Sequence, residues 1–174
     1  MKTFDDVLSA ELKELFSAQR QWLLALPGVI RSSSNSKLSE HFRREARETK
    51  RHLERIEEIA GILGGSLRGR VHAPMRELVQ MGHEVSLGEQ DGVIFDARLI
   101  IVAQRVAHLS ICGYGTARTL ARILGHGAVE ALLGTSLAEK EADDRALTDL
   151  AIDLYTVSGP AEPAAPILDE PFRP

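Results

Sequence analysis

The chain has 174 residues, a formal net charge of −4, 44% hydrophobic and 26% charged residues, and 5% aromatic ones. That length suits one domain with a sizeable core, and the balance excludes both a disordered polyampholyte and a basic nucleic-acid binder. A single cysteine, Cys112, excludes an internal disulfide framework and a multi-thiolate zinc site. No run of about 18 apolar residues is present, so no membrane span is expected. The opening MKTFDDVLSAELKELF carries acids where a secretion signal would be apolar. Few aromatics with abundant Leu, Ala, Glu and Arg point to a cytoplasmic, all-α domain.

Four long segments have a helical period. The first is expected over about 3–30, with Leu8, Leu12, Leu15, Phe16, Trp22, Leu23 and Leu26 at three- and four-residue steps, and Pro27-Gly28 should kink or end it. SSSNS at 32–36 reads as a loop whose last serine, Ser36, caps the second helix. That helix carries Leu38, Phe42, Thr49, Leu53, Ile56, Ala60 and Leu63 on one side and stops at Gly64-Gly65. Residues 64–92 are less regular, with a basic turn at Arg68 and Arg70 and a short helix from Pro74 to about Val85. So long a connection fits a crossover between two helical hairpins. The third long helix is expected from Gly92 to Leu124, with the small-residue patch Gly113-Tyr114-Gly115-Thr116 allowing close approach of a neighbour. The fourth covers about 127–155, and the Pro-rich 157–174 reads as an extended or disordered tail. The expectation is one antiparallel four-helix bundle over 1–156.

Function must then come from polar residues on the apolar faces. At 100° per residue, Gln19 lies on the first stripe between Phe16 and Trp22. Glu45 and His52 lie near the centre of the second, with Glu48 at its edge. Ala107 and Ser110 share the third helix face with Leu99, Val106 and Ala117. On the fourth, Leu133, Leu137, Asp144, Thr148 and Ala151 are expected to face inward, with Lys140 and Glu141 straddling them. Counted from the hairpin turns, Gln19, Glu48, Ser110 and Lys140 fall at one mid-bundle level. Ferritin-like carboxylate proteins build a two-metal site at that level.

LSAELKELFSAQRQWLLAL, ERIEEI, AQRVAHLSICGYGTARTLA and LGTSLAEKEADDRALTDLAI resemble the bacterial YciE/YciF ferritin-like family over about residues 3–155. The resemblance implies a ferritin-like bundle with a short crossover helix, a homodimer, and a link to general and osmotic stress. It also implies carboxylates at four positions that here hold Gln19, Ala107, Ser110 and Lys140, and a histidine where Glu45 stands. An amide oxygen is a poor iron ligand, Ala has no donor, and an ammonium opposes metal binding. The expectation is a degenerate di-metal site without cofactor, in which Lys140 supplies the cation that Glu45 or Glu48 needs when buried. The competing reading is a non-haem iron protein that uses Glu45, Glu48, His52, Glu141 and Asp144 on oxygen or peroxide.

Other polar residues read as structural. His108 falls on the polar side of its helix, and His41, His72, His83 and His126 are scattered without partners at ligand spacing. Cys112, beside Ile111, reads as an inert buried thiol. Glu139, Glu141, Asp143 and Asp144 read as an acidic solvated face. No phosphate loop, dinucleotide fingerprint or Ser/His/acid arrangement is present. The Arg68/Arg70 turn is too small a patch for nucleic acid, and the protein partner is left open.

Overall fold

The computed structural model describes residues 3–87 and 92–157; the tail expectation falls mostly outside them. The described residues form five helices: α1 (Phe4–Ser32), α2 (Ser36–Ile62), α3 (Ala73–Leu87), α4 (Val93–Ile123) and α5 (Gly127–Val157). Thr3 and Asp6 form a reciprocal capping box at the start of α1. Pro27 lies inside α1 and does not end it. Leu26 and Val29 on either side of Pro27 are buried in the core, and that packing holds the segment helical. The cap of α2 is Asn35, one residue before the expected Ser36, because its side chain accepts the Leu38 amide at 3.1 Å. Gly64 and Gly125 follow α2 and α4 at φ 63° and 77°, the left-handed backbone that closes a helix.

Side-chain contacts fix the topology. Asp5, Gln19 and Ser33 of α1 and its following loop meet His126, Ser110 and Asp96, so α1 and α4 run antiparallel. Lys37, Glu45 and His52 meet Asp153, Lys140 and Glu139, so α2 and α5 do too. The long connection therefore carries the chain back to the end of the bundle where α2 begins, and α2 and α4 run parallel across the bundle. Within it α3 lies over α1 and α4, with Met75 and Val85 buried and Leu78 and Val79 packed against the core. This crossover helix covers the bundle, with Met81 exposed on its outer side. Where α1 and α4 cross, a Cβ on Gly113 would stand 2.7 Å from Leu15 Cδ2, so this glycine sets the helix separation.

The α1–α2 loop is tied down by one carboxylate. Buried Asp96 of α4 accepts from Ser33 Oγ, Ser34 N and Oγ, and Asn35 N at 2.8–3.1 Å. The apolar core itself is in two parts. Trp22, Leu26, Phe42, Phe95, Leu99, Val106 and Leu147 belong to one, and Leu8, Leu12, Leu15, Ile56, Ile59, Ala117 and Leu133 to the other. Between them every long helix contributes buried polar side chains: Gln19, then Glu45, Thr49 and His52, then Ser110, then Ser136, Lys140 and Asp143.

Candidate functional site: a buried polar layer

The centre of this layer is an ion cluster between α2 and α5. Lys140 Nζ lies 2.9 Å from Glu45 Oε1 and 3.4 Å from Asp143 Oδ2, with all three side chains at most 1% exposed. Trp22 Nε1 donates to the same Glu45 oxygen at 2.6 Å. His41 Nε2 lies 3.0 Å from Asp143 Oδ1. The Arg44 guanidinium, which can only donate, meets His41 Nδ1 at 2.8 Å, so Nδ1 accepts and the ring proton sits on Nε2. Burial disfavours the Lys140 charge, yet the two carboxylates outweigh it and hold its pKa above the ordinary lysine value. At Glu45 burial wins over Lys140 and the pKa rises. At Asp143 burial is outweighed by His41 and Lys140, and the pKa falls.

Two turns further along α2 lies a second cluster. His52 Nε2 is 2.8 Å from Glu139 Oε2, and Arg55 clamps Glu139 with both terminal nitrogens. The Arg55 hydrogen bonds hold the Glu139 carboxyl below its usual range. Burial, reinforced by the Lys140 charge, brings the His52 pKa down to about 4. His52 is therefore neutral at pH 7, with its proton on Nε2 facing the ionised Glu139. Tyr114 packs edge-on to it at 5.5 Å, and burial pushes the phenol well above its ordinary pKa. Gln19 Nε2 donates to Ser110 Oγ at 2.9 Å, and Ser110 donates onward to the Val106 carbonyl.

Of the sequence-expected set, the layer brings together Gln19, Glu45, His52, Ala107, Ser110 and Lys140, all nearly inaccessible. It leaves out three. The Glu48 side chain is 20% exposed and turned to Arg51. Glu141 is exposed, and Asp144 faces α4, 3.4 Å from His108 Nε2. On α5 the buried face includes the expected Leu133 and Ala151, but Ser136, Asp143 and Leu147 take the inward places expected of Leu137, Asp144 and Thr148. The buried stripe is Val129, Leu133, Ser136, Lys140, Asp143, Leu147, Ala151 and Leu154, and Thr148 lies outside it, bonded to Gln104. His41 is buried with Asp143 as partner, contrary to its reading as a scattered histidine without a partner. Asp143 likewise leaves the supposed solvated face. Cys112 is exposed, because α4 turns it away from the Ala107/Ser110 side.

His41, Glu45 and Asp143 each offer a ligand atom, and these atoms lie within 4.8 Å of one another, the one such trio among the described residues. Two features oppose a resident ion. The Lys140 ammonium already bonds both carboxylates, and His41 Nδ1 faces a donor where a metal-bound imidazole would need an acceptor. The residues in place do not fit a two-metal carboxylate centre.

Residues 3–157 match the family model described as "Domain of unknown function (DUF892)". The chain belongs to the DUF892 family. It is 37% identical over 154 residues to Protein YciF of Escherichia coli K12, which spans 88% of this chain and 93% of that protein. The crystal structure of the E. coli stress protein YciF superposes with a TM-score of 0.87 at 35% identity, covering 92% of this chain and all of the other. A putative structural protein from Rhodopseudomonas palustris follows at 0.81 and 29% identity, with 85% and 94% covered. A Xanthomonas campestris protein at 0.69 and 13% identity, with 90% and 97% covered, shares the fold. As a DUF892 member the chain has an all-helical bundle, and no described helix is long and apolar enough to cross a membrane.

Proposed function

We propose that this DUF892 chain is a stress-associated, non-catalytic structural or interaction module of ferritin-like architecture, in which a lysine takes the place of a di-metal centre. The observation that carries the reading is the Lys140–Glu45 pair, 2.9 Å apart and inaccessible to solvent. A buried carboxylate without a counter-charge costs several kcal/mol, and here the counter-charge is built into the chain. The neutral Gln19, Ala107 and Ser110 around it remove the ligands that a metal would need. Support from relatives is of the same kind: one is named a stress protein and another a putative structural protein. The module acts in the cytoplasm as a homodimer, without nucleic acid, membrane or cofactor.

The reading is tested by adding Fe(II) to the purified protein under air and following near-ultraviolet absorption. The expected result is no protein-dependent iron oxidation and no change in thermal stability. The rival reading, iron acting on oxygen or peroxide, draws on Glu45, Glu48, His52, Glu141 and Asp144, of which only Glu45 and His52 lie in the buried layer. It predicts a new absorption band that disappears in Glu45→Gln.

A further inference from the structure

The ion cluster around Lys140 is asymmetric. The ammonium holds one oxygen of each carboxylate, Glu45 Oε1 and Asp143 Oδ2. Of the other oxygens, Glu45 Oε2 is buried without a hydrogen-bond partner among the described residues, and Asp143 Oδ1 faces His41 Nε2 at 3.0 Å. These belong to the three residues whose ligand atoms converge within 4.8 Å. A buried carboxylate oxygen that lacks a partner is an unused donor to a cation, and His41 Nε2 becomes one only when its ring proton moves to Nδ1.

Charge gives the same direction. With Glu45 and Asp143 ionised, His41 neutral and Lys140 cationic, the cluster carries one net negative charge. A divalent ion added beside the ammonium would reverse that charge in a desolvated site. A divalent ion in place of the ammonium would leave it neutral. The donor set, one imidazole nitrogen and two carboxylates from α2 and α5, suits zinc or cobalt(II).

We propose that His41, Glu45 and Asp143 form a divalent-metal site that the tethered Lys140 ammonium keeps closed. A second lock lies outside it. Arg44 donates to His41 Nδ1, whereas a metal-bound His41 carries its proton there and needs an acceptor or water. Arg44 is exposed and its guanidinium can withdraw into solvent, so this lock weakens binding without preventing it. The inference rests on the reading of Lys140 as the cluster's own cation. The trio is also separate from the sequence-expected ligand positions, of which it contains only Glu45.

The test is cobalt(II) titration of the full chain, read by visible d–d absorption and by helical circular dichroism. Wild type is expected to show no saturable band. Lys140→Ala is expected to take up one ion per chain, displaceable by zinc. The band should vanish in Lys140→Ala/His41→Ala, and adding Arg44→Ala to Lys140→Ala should tighten binding about tenfold. If Lys140→Ala does not fold alone, cobalt present during refolding should restore the helical signal. Folded Lys140→Ala without a saturable band, or binding undiminished by loss of His41, overturns the site, as does an unfolded variant that cobalt fails to rescue. Wild-type cobalt binding at these residues would instead overturn the assignment of Lys140 as the resident cation.

Discussion

Replacing Lys140 by Met removes the ammonium, keeps most of the volume, and leaves Glu45 and Asp143 facing each other without a counter-charge. At distances of 2.9 and 3.4 Å the ammonium attracts the two carboxylates by about 6 and about 5 kcal/mol at an effective dielectric constant of about 20. Desolvating the ammonium offsets much of that, and truncating one partner of a buried ion pair costs about 3–5 kcal/mol. For a domain of this size the thermal midpoint should fall by roughly 6–20 °C. Urea unfolding followed through Trp22 measures the loss, because this single tryptophan donates to Glu45 and reports on the layer. The deficit should also depend on pH. Without Lys140 the buried carboxylates hold protons more tightly folded than unfolded, so Lys140→Met gains stability relative to wild type as pH falls from 7 towards 5. Adding Glu45→Gln should recover at least half of the loss at pH 7. A Lys140→Met variant that loses under about 1 kcal/mol at pH 7 would refute the reasoning, because that is the worth of an exposed pair.

Three further outcomes follow from the same geometry. His52 is depressed to about 4 when folded and returns to about 6.5 unfolded, so the unfolded chain binds the extra proton between those values. Stability present above pH 6.5 should decline by about 3 kcal/mol as pH falls to 4, and His52→Gln should flatten that slope; an NMR titration midpoint for His52 near 6.5 would contradict it. Trp22→Phe takes one donor from Glu45 and should cost about 1–3 kcal/mol in urea unfolding followed by circular dichroism, with an unchanged midpoint counting against the bond. Asp96→Ala releases the Ser33–Asn35 loop and should cost about 3 kcal/mol, whereas a thermal midpoint equal to wild type would show that the loop holds without it.

The architecture was legible because each long helix announces itself by spacing and by its stop, Gly64 and Gly125 above all. Pro27 misleads because tertiary packing of Leu26 and Val29 overrides a local breaker signal. Lys140 and Glu45 were readable as partners, since each interrupts a stripe at one level. Asp143 and His41 were not, and the reason is phase. Leu137, Asp144 and Ala151 repeat every seven residues, but so do Leu133, Lys140, Leu147 and Leu154, and only the second series lies centrally in the core. Val129, Ser136 and Asp143 run beside it at the same interval, which was the available signal for Asp143. His41 stands three residues after Leu38 and four before Glu45, the spacing of one buried ridge. Its partner lies on another helix 102 residues away, so no local pattern could pair them. Cys112 shows the reverse: an apolar neighbour in sequence says little about which way a helical side chain points.

Metal analysis of the protein, expressed with excess iron and purified without chelators, tests most directly whether lysine stands in for metal. The account predicts no stoichiometric iron, manganese or zinc. About one or two ions per chain, the occupancy of a working carboxylate centre, would contradict it.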